Sequence, residues 1–260
     1  MKKQRLDLFS ETLRLAFVQQ GAGRPFLVLH AGDGPGSMMG LASALAARSS
    51  AVLPIHPGFH GESRPERFTR IDDLVLAYLT LLERLELRNV VVVGNSFGGW
   101  IAAELALRKS PRIAGAVLID AVGVDGTIAD APPAKLSRDE LLARAFHDPT
   151  KFATFLSAPS PEAAAVAAEN QRSLLIYAGE PYMHDPGLRP RLAAMTTPTL
   201  VVWGESDRLI DLDYGRSYAA SIPGARFEVI PRAGHCPHIE RLEETQRLVE
   251  RFAATLGVAQ

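Results

Sequence analysis

The sequence predicts an α/β protein with a mostly parallel, doubly wound sheet and a helical insertion after the sixth strand. Short apolar, β-branched runs alternate along the chain with amphipathic helical stretches, and this alternation implies right-handed crossover units. Several of the predicted strands show no polar alternation, which is typical of strands that helices cover on both faces. A length of 260 residues with 47% hydrophobic content is sufficient to bury a full core.

The elements follow from local periodicity. Strands are predicted over residues 13–18 in an opening hairpin, 26–30, 51–54, 89–94, 113–119, 199–203 and 226–230. Core helices are predicted over residues 37–48, 71–85, 97–108, 213–220 and 242–256. The helix over 71–85 has the clearest pattern, because its large apolar residues recur on a single face.

One segment interrupts this alternation. Residues 124–186 contain several prolines and no clear strand, with short helical pieces predicted over 138–146 and 161–175. We therefore expect residues 1–123 and 187–260 to form the core and residues 124–186 to form a helical cap. An insertion at this point would lie over the strand ends as a lid.

Composition excludes several classes of function. The net charge is −1, with 28 basic and 29 acidic residues, so the chain lacks the basic excess of a nucleic-acid binder. No apolar run follows the basic residues at the N-terminus, and no stretch is long enough to cross a bilayer. A single cysteine, Cys236, permits no intrachain disulfide. We expect a cytoplasmic protein with a small-molecule substrate and neither nucleic-acid nor membrane partners; the sequence does not indicate an oligomeric state.

The strongest local signal is the stretch VVVVGNSFGGW at residues 90–100, which places Ser96 between a buried strand and a helix. The spacing Gly94-x-Ser96-x-Gly98 is typical of a nucleophile elbow, a tight turn that presents a serine hydroxyl at the sheet edge. Both glycines are needed where a side chain would clash across the turn. The alternative is an ordinary glycine-rich turn of a nucleotide-binding fold. Asn95 is interpreted only as a residue that tolerates the strained backbone.

A serine hydroxyl requires a general base, and that base requires an acid to orient it. His235 lies in a loop after the last predicted strand, so it should emerge at the same sheet edge as Ser96. Asp207 follows the preceding strand, and the order Ser96, Asp207, His235 is the order expected for a nucleophile elbow of this type. Asp120, at the end of another strand, is the second choice for the acid.

Acyl transfer also requires donors for the developing oxyanion. The N–H of Phe97, directly after the serine, is the first predicted donor. The second is expected from the loop over residues 30–36, with Gly32 preferred and Asp33 as the fallback. This loop lacks the glycine register of a phosphate-binding loop. No metal is predicted, because His235 and His238 offer only two ligands. Cys236 is interpreted as a packing residue.

Five separated segments occur in a characteristic order: LHAGDGPGS, HPGFHGESRP, VVGNSFGGW, WGESDRLI and AGHCPHIE. Together they resemble the α/β-hydrolase superfamily, from about residue 26 to residue 256. The Gly-Asn-Ser-Phe-Gly-Gly elbow and the GPG of the early loop are similar to those of the hydrolases that cleave carbon–carbon bonds in meta-ring-fission products. The resemblance implies a hydrolase without a cofactor that carries a helical cap.

The leading hypothesis is a carboxylesterase that cleaves a small apolar ester through an acyl-enzyme. The cap would supply an apolar pocket from some of Phe146, Phe152, Phe155, Tyr177 and Tyr182. One alternative is a carbon–carbon bond hydrolase acting on a dienoic diketo acid. The carboxylate of that substrate would need a cation from among Arg138, Arg144, Arg172, Arg189 and Arg191. Another alternative is a non-catalytic ligand-binding protein, although such a protein has no need of all three of Ser96, Asp207 and His235.

Overall fold

The computed structural model describes residues 2–9, 12–126, 136–152 and 160–257. Within these residues the chain forms an eight-stranded sheet in the order β1-β2-β4-β3-β5-β6-β7-β8. The strands are β1 (Lys2–Leu8), β2 (Leu13–Gly21), β3 (Pro25–Leu29), β4 (Ser50–Pro54), β5 (Val90–Asn95), β6 (Ile113–Ile119), β7 (Thr199–Gly204) and β8 (Arg226–Ile230). From β4 onward across the sheet every pairing is parallel, which confirms the predicted fold class.

Helices flank the sheet and continue into the insertion. They are α1 (Gly36–Ala46), α2 (Ile71–Arg84), α3 (Phe97–Leu107), α4 (Arg138–Ala145), α5 (Pro161–Ala178), α6 (Leu188–Leu192), α7 (Leu212–Ala220), α8 (Pro237–Glu240) and α9 (Leu242–Thr255). The helices predicted for the core are all present, with ends that differ by one or two residues. Among the described residues, no helix has the length and apolar character needed to traverse a membrane.

The N-terminal segment, for which the sequence analysis predicted no strand bounds, is a strand of the sheet. It forms β1, which pairs antiparallel with β2 at one edge of the sheet and completes the predicted hairpin. Leu8 is fully buried, whereas Lys3 and Arg5 lie on the opposite, polar side and pair with Glu62. The alternation of apolar and polar residues in β1 is hard to see in the sequence, because its apolar side consists of only two leucines among charged residues.

Two apolar layers enclose the sheet, and β5 shows how. Val90 and Val92 face the layer formed with α2 and α3, while Val91 and Val93 face the layer formed with α1 and α9. Successive side chains of a strand point to opposite faces, so a strand buried on both faces consists of consecutive apolar residues. This is the physical basis of the four valines before the elbow.

Helix α5 of the insertion is hydrogen-bonded to two loops of the core. The Asn170 side chain accepts the N–H of His60 at 2.8 Å and donates to the Asp33 carbonyl at 2.8 Å. Ser173 and Tyr177 donate to the carbonyls of Gly58 and Pro57, at 2.6 and 3.2 Å. These residues recur at helical spacing, so one face of α5 binds the core. The predicted division into a core and a cap over residues 124–186 stays a prediction.

A buried carboxylate anchors α3 to the segment after the insertion. Glu104 is only 3% exposed, and both of its oxygens accept from Arg191 at 2.7 Å. Arg191 also pairs with Asp185 at 2.5 Å. A buried carboxylate requires such a partner, because an unpaired charge in the interior is strongly disfavoured.

We predict that Arg191→Met lowers the free energy of unfolding by about 1–2 kcal/mol, because Glu104 loses its bidentate partner. The value is at the low end for a buried pair since the Arg191 side chain is 42% exposed. Chemical denaturation measures the change, and Arg189→Met serves as a control because Arg189 pairs with the exposed Asp125. Equal stability of Arg191→Met and the parent chain would contradict the prediction.

Candidate active site

The carboxyl ends of the parallel strands bring the predicted site residues to one edge of the sheet. Ser96 follows β5, Asp207 lies after β7 and His235 lies after β8. The loop that contains Gly32 follows β3, the neighbour of β5 in the sheet. Clefts at the carboxyl ends of strands are the usual position of ligand sites in open α/β sheets.

Ser96 lies on a strained turn between β5 and α3. Its φ of 53° and ψ of −115° lie in a region that residues with a side chain rarely adopt. A Cβ at Gly94 would lie 2.1 Å from the carbonyl oxygen of Gly98, and one at Gly98 would lie 2.3 Å from the carbonyl oxygen of Leu29. Both positions therefore require glycine for the steric reason inferred from the sequence.

His235 and Asp207 form a buried pair. The Nδ1 of His235 lies 2.7 Å from Oδ2 of Asp207, and both residues are less than 9% exposed. The other oxygen of Asp207 accepts the N–H groups of Leu209 and Ile210, at 2.8 and 3.0 Å. The carboxylate is thus fixed on both sides, and the bond to Nδ1 leaves Nε2 as the free ring nitrogen.

The loop over residues 231–236, which carries His235 and is called the histidine loop below, is held by contacts with other parts of the chain. The N–H of His235 donates to the Ala145 carbonyl at the end of α4, at 2.7 Å. Glu240 accepts the N–H of Gly234 at 2.5 Å and also the N–H of His147, at 3.1 Å. Sequence reasoning missed Glu240; its only signal was an acid at the end of the AGHCPHIE segment.

Asn95 has a more specific place than the sequence interpretation gave it. It is fully buried, and its Nδ2 donates to the carbonyls of Ile119 and His235, at 3.2 and 3.1 Å. The residue before Ser96 therefore connects the elbow to the end of β6 and to the histidine loop. An amide can donate both bonds, whereas an apolar residue would leave both carbonyls without this partner.

Asp120, the second choice for the acid, lies behind the His235–Asp207 pair. One atom each of Asp120, Asp207 and His235 lie within 4.8 Å of one another. Burial and the neighbouring Asp207 raise the pKa of Asp120 well above its usual range. Because His235 and Asp207 already bind each other, we interpret this cluster as a hydrogen-bonded group and not as a metal site.

The predicted oxyanion donors lie at the same edge. Phe97 is the first residue of α3, so its N–H has no partner within the helix. Gly32 is covered by Leu174 of α5, and a Cβ there would lie 2.4 Å from a methyl group of Leu174. Asp33, the fallback, is exposed and accepts a hydrogen bond from the Ser37 hydroxyl at 2.9 Å. The roles of Gly32 and Phe97 as donors stay predictions.

Two buried histidines pack together at the start of the loop over residues 30–36. His30 and His56 stack with ring centroids 3.6 Å apart, and the N–H of His56 donates to Nε2 of His30 at 3.0 Å. The His56 ring bonds the His30 carbonyl at 2.9 Å and the Tyr78 hydroxyl. Burial lowers the pKa of His56 to about 3 and that of His30 well below its usual range. Both rings are therefore neutral at physiological pH. No sequence pattern indicated this pairing.

Two further residues of the histidine loop are poor candidates for chemistry. The low-dielectric surroundings and nearby carboxylates raise the pKa of the Cys236 thiol, so it does not form the thiolate that a nucleophile requires. His238 is 1% exposed, and burial lowers its pKa to about 3.

The candidate pocket residues fall into separate groups. Tyr177 packs against Phe97 with ring centroids 6.3 Å apart, and Phe146 stacks on Phe152 at 5.1 Å. Tyr182 is half-buried, and Phe155 lies outside the described residues.

The candidate cations for a substrate carboxylate also separate. Arg189 bonds Asp125 at 2.6 Å and two serines, and Arg191 is occupied by Glu104. Arg172 is exposed on α5, Arg144 is half-buried near the end of α4, and the side chain of Arg138 lies outside the description. Of the four arginines with described side chains, only Arg144 and Arg172 have no carboxylate bound in this way.

We predict that Asn95→Asp is more damaging than Asn95→Ala, although aspartate is closer in shape. The carboxylate would face two carbonyl oxygens that it cannot donate to, whereas alanine only removes the two bonds. We expect a loss of about 1–3 kcal/mol for alanine and a larger loss for aspartate in denaturant titrations. Equal losses for the two variants would show that these bonds do not hold the loop.

Comparisons with known proteins agree with this architecture. The model of the alpha/beta hydrolase family matches residues 26–249. A 2-hydroxymuconate semialdehyde hydrolase of Pseudomonas putida is 31% identical over 95% of this chain and 93% of its own length. A crystal structure of a meta-cleavage product hydrolase covers 96% of this chain and 97% of its own, with a TM-score of 0.78 at 23% identity. An esterase of Thermogutta terrifontis covers 98% and 99%, with a TM-score of 0.73 at 22% identity. With its elbow, its strand order and this match along most of its length, the chain belongs to the alpha/beta hydrolase family.

Proposed function

We propose that the protein hydrolyses a carbon–carbon bond in a dienoic diketo acid, with Ser96, His235 and Asp207 as its catalytic triad. The observation that carries this proposal is the similarity to the 2-hydroxymuconate semialdehyde hydrolase, which extends over 95% of the chain and so includes the insertion. The leading ester hypothesis from the sequence becomes the second candidate. The triad itself is common to both.

The bond between His235 and Asp207, which leaves Nε2 free, supports the following course for the reaction. The Ser96 oxygen adds to the keto or aldehyde carbonyl carbon next to the bond that is cleaved, while Nε2 of His235 takes the hydroxyl proton. The oxyanion is stabilised by the N–H of Phe97 and by a second N–H from the loop, for which Gly32 is our choice. The bond to the neighbouring carbon then breaks, and that carbon receives the proton from His235.

Water completes the turnover. His235 removes a proton from the water molecule, whose oxygen attacks the acyl-enzyme carbonyl, and Ser96 leaves with its hydroxyl restored. The products are a carboxylic acid and a shortened dienoic acid, which together contain the atoms of the substrate and one water. Asp207 holds the tautomer of His235 throughout and stabilises the imidazolium that forms twice in the cycle.

Ester hydrolysis remains the second candidate for a structural reason. Two of the five arginines considered for the substrate carboxylate are bound to acidic partners, which leaves fewer cations for an anionic substrate. A neutral ester needs no such cation. The same acyl-enzyme would form, and the difference lies only in the group that leaves.

We predict that the parent chain cleaves 2-hydroxymuconate semialdehyde and that Ser96→Ala lowers kcat at least ~1,000-fold without loss of the fold. The loss of the substrate chromophore measures the rate, and circular dichroism monitors the fold. Ser63→Ala is the matched control, since Ser63 is an exposed serine that is not part of the proposed triad.

The same two proteins are assayed on p-nitrophenyl acetate. If the parent chain cleaves only the ester, with the same dependence on Ser96, the second candidate replaces the first. If Ser96→Ala retains the activity of the parent chain on both substrates, the triad assignment itself is wrong.

We further predict that Arg144→Gln or Arg172→Gln raises KM for the dienoic acid about 10-fold or more, because a cation on a substrate carboxylate contributes about 1.5–3 kcal/mol. KM for the neutral ester should not change. Arg189→Gln is the matched control, because its guanidinium is bound to Asp125. Unchanged KM values in both test variants would remove these two residues as carboxylate ligands.

A further inference from the structure

Asp120 occupies a constrained position directly after β6. Its φ of 42° lies in the left-handed region, where aspartate and asparagine are better tolerated than most residues. The Asp120 N–H donates to the Val202 carbonyl at 2.9 Å, and Oδ1 accepts the N–H of Gly204 at 2.9 Å. The side chain is fully buried, so backbone contacts with β7 fix where its second oxygen points.

The second oxygen, Oδ2, is buried and has no hydrogen-bond partner among the described residues. Atoms of the Asp120 and Asp207 carboxyl groups and of the His235 ring lie within 4.8 Å of one another. Other titratable groups that act on this cluster are Glu240 and Cys236, and Asp33 and His238 act on His235. None of the four supplies a positive charge, because burial lowers the pKa of His238 to about 3.

Two ionised carboxylates at this separation would repel each other in a site that excludes water. A single proton between them removes the repulsion and satisfies Oδ2. The surroundings raise the pKa of Asp120 through burial first and through Asp207 second, so Asp120 is the carboxyl that retains the proton.

We propose that Asp120 is a positioning residue for the triad, a neutral carboxylic acid whose O–H donates a hydrogen bond to the Asp207 carboxylate. Asp207 then holds His235 from a carboxylate bonded by Leu209, Ile210 and Asp120. The donated bond fixes the orientation of Asp207. It also withdraws negative charge from His235 and so limits how strongly the imidazolium is stabilised. The proposal rests on the proposed triad but not on the identity of the bond that is cleaved.

The test uses the rate at which a fluorophosphonate probe labels Ser96 as a function of pH. This reaction needs the activated serine but not the natural substrate. In Asp120→Asn the amide oxygen can accept from Gly204 and the NH₂ group can donate to Asp207, with the same zero charge as the neutral acid. We expect labelling within about threefold of the parent chain and an unchanged acidic inflexion.

Asp120→Ser removes the donor, because its hydroxyl is too short to contact both Gly204 and Asp207. Asp207 should then stabilise the imidazolium more strongly, and the acidic inflexion should move to higher pH by about 0.5–1 unit. Asp120→Gly, which also suits a positive φ, gives the same comparison if the serine variant does not fold.

The direction in which the acidic inflexion moves distinguishes a neutral Asp120 from an ionised one. If Asp120 were ionised, Asp120→Asn would remove a negative charge beside His235, and the inflexion would fall. If Asp120 only filled space, neither Asp120→Ser nor Asp120→Gly would move the inflexion. A fall of the inflexion in Asp120→Asn, or no change in the serine and glycine variants, overturns the proposal.

Glu104→Gln is the control for loss of a buried carboxyl remote from the site, and it should lower the melting temperature without moving the inflexion. Labelling that persists in Ser96→Ala would instead indicate that the triad is wrong.

Discussion

The close approach of the chain to itself around Ser96 is the constraint on which the site depends. The turn can form only because Gly94 and Gly98 leave room for carbonyl oxygens about 2 Å from where a Cβ would be. This contact presses the start of α3 against the end of β3 and gives Ser96 its left-handed backbone. The serine, the N–H of Phe97 and the loop after β3 are thereby placed at one edge of the sheet.

Side chains that bind backbone groups hold the remaining parts around this turn. Asn95 connects the elbow to the histidine loop, Glu240 binds the same loop from α8, and α4 receives the His235 N–H. On the other side, α5 binds the loop of Asp33 through Asn170. Each contact satisfies a buried or part-buried backbone group, whereas Oδ1 of Asn95 and Oδ2 of Asp120 are buried without a partner among the described residues.

Several titratable groups around the site are neutral. His30 and His56 are neutral, Cys236 remains a thiol, and the surroundings favour a proton on Asp120. Asp207 is then the carboxylate that faces His235. The arginines considered for a substrate carboxylate also differ in their availability, because Arg189 pairs with Asp125 and Arg191 with Glu104. For this reason the proposed preference for an anionic dienoic acid over a neutral ester is tested on Arg144 in α4 and Arg172 in α5.

Local pattern determined the fold class, nearly every strand and helix of the core, the elbow and the order of Ser96, Asp207 and His235, since these depend on neighbours a few residues apart. Only the tertiary structure stacked His30 on His56, assigned Asn95 and Glu240 to the histidine loop, and revealed β1 as an edge strand. These contacts join residues distant in the sequence, such as Asn95 and His235, and no local periodicity encodes them. The bonds of the buried polar groups are set by which loops meet at the sheet edge, and that follows only from the folded chain.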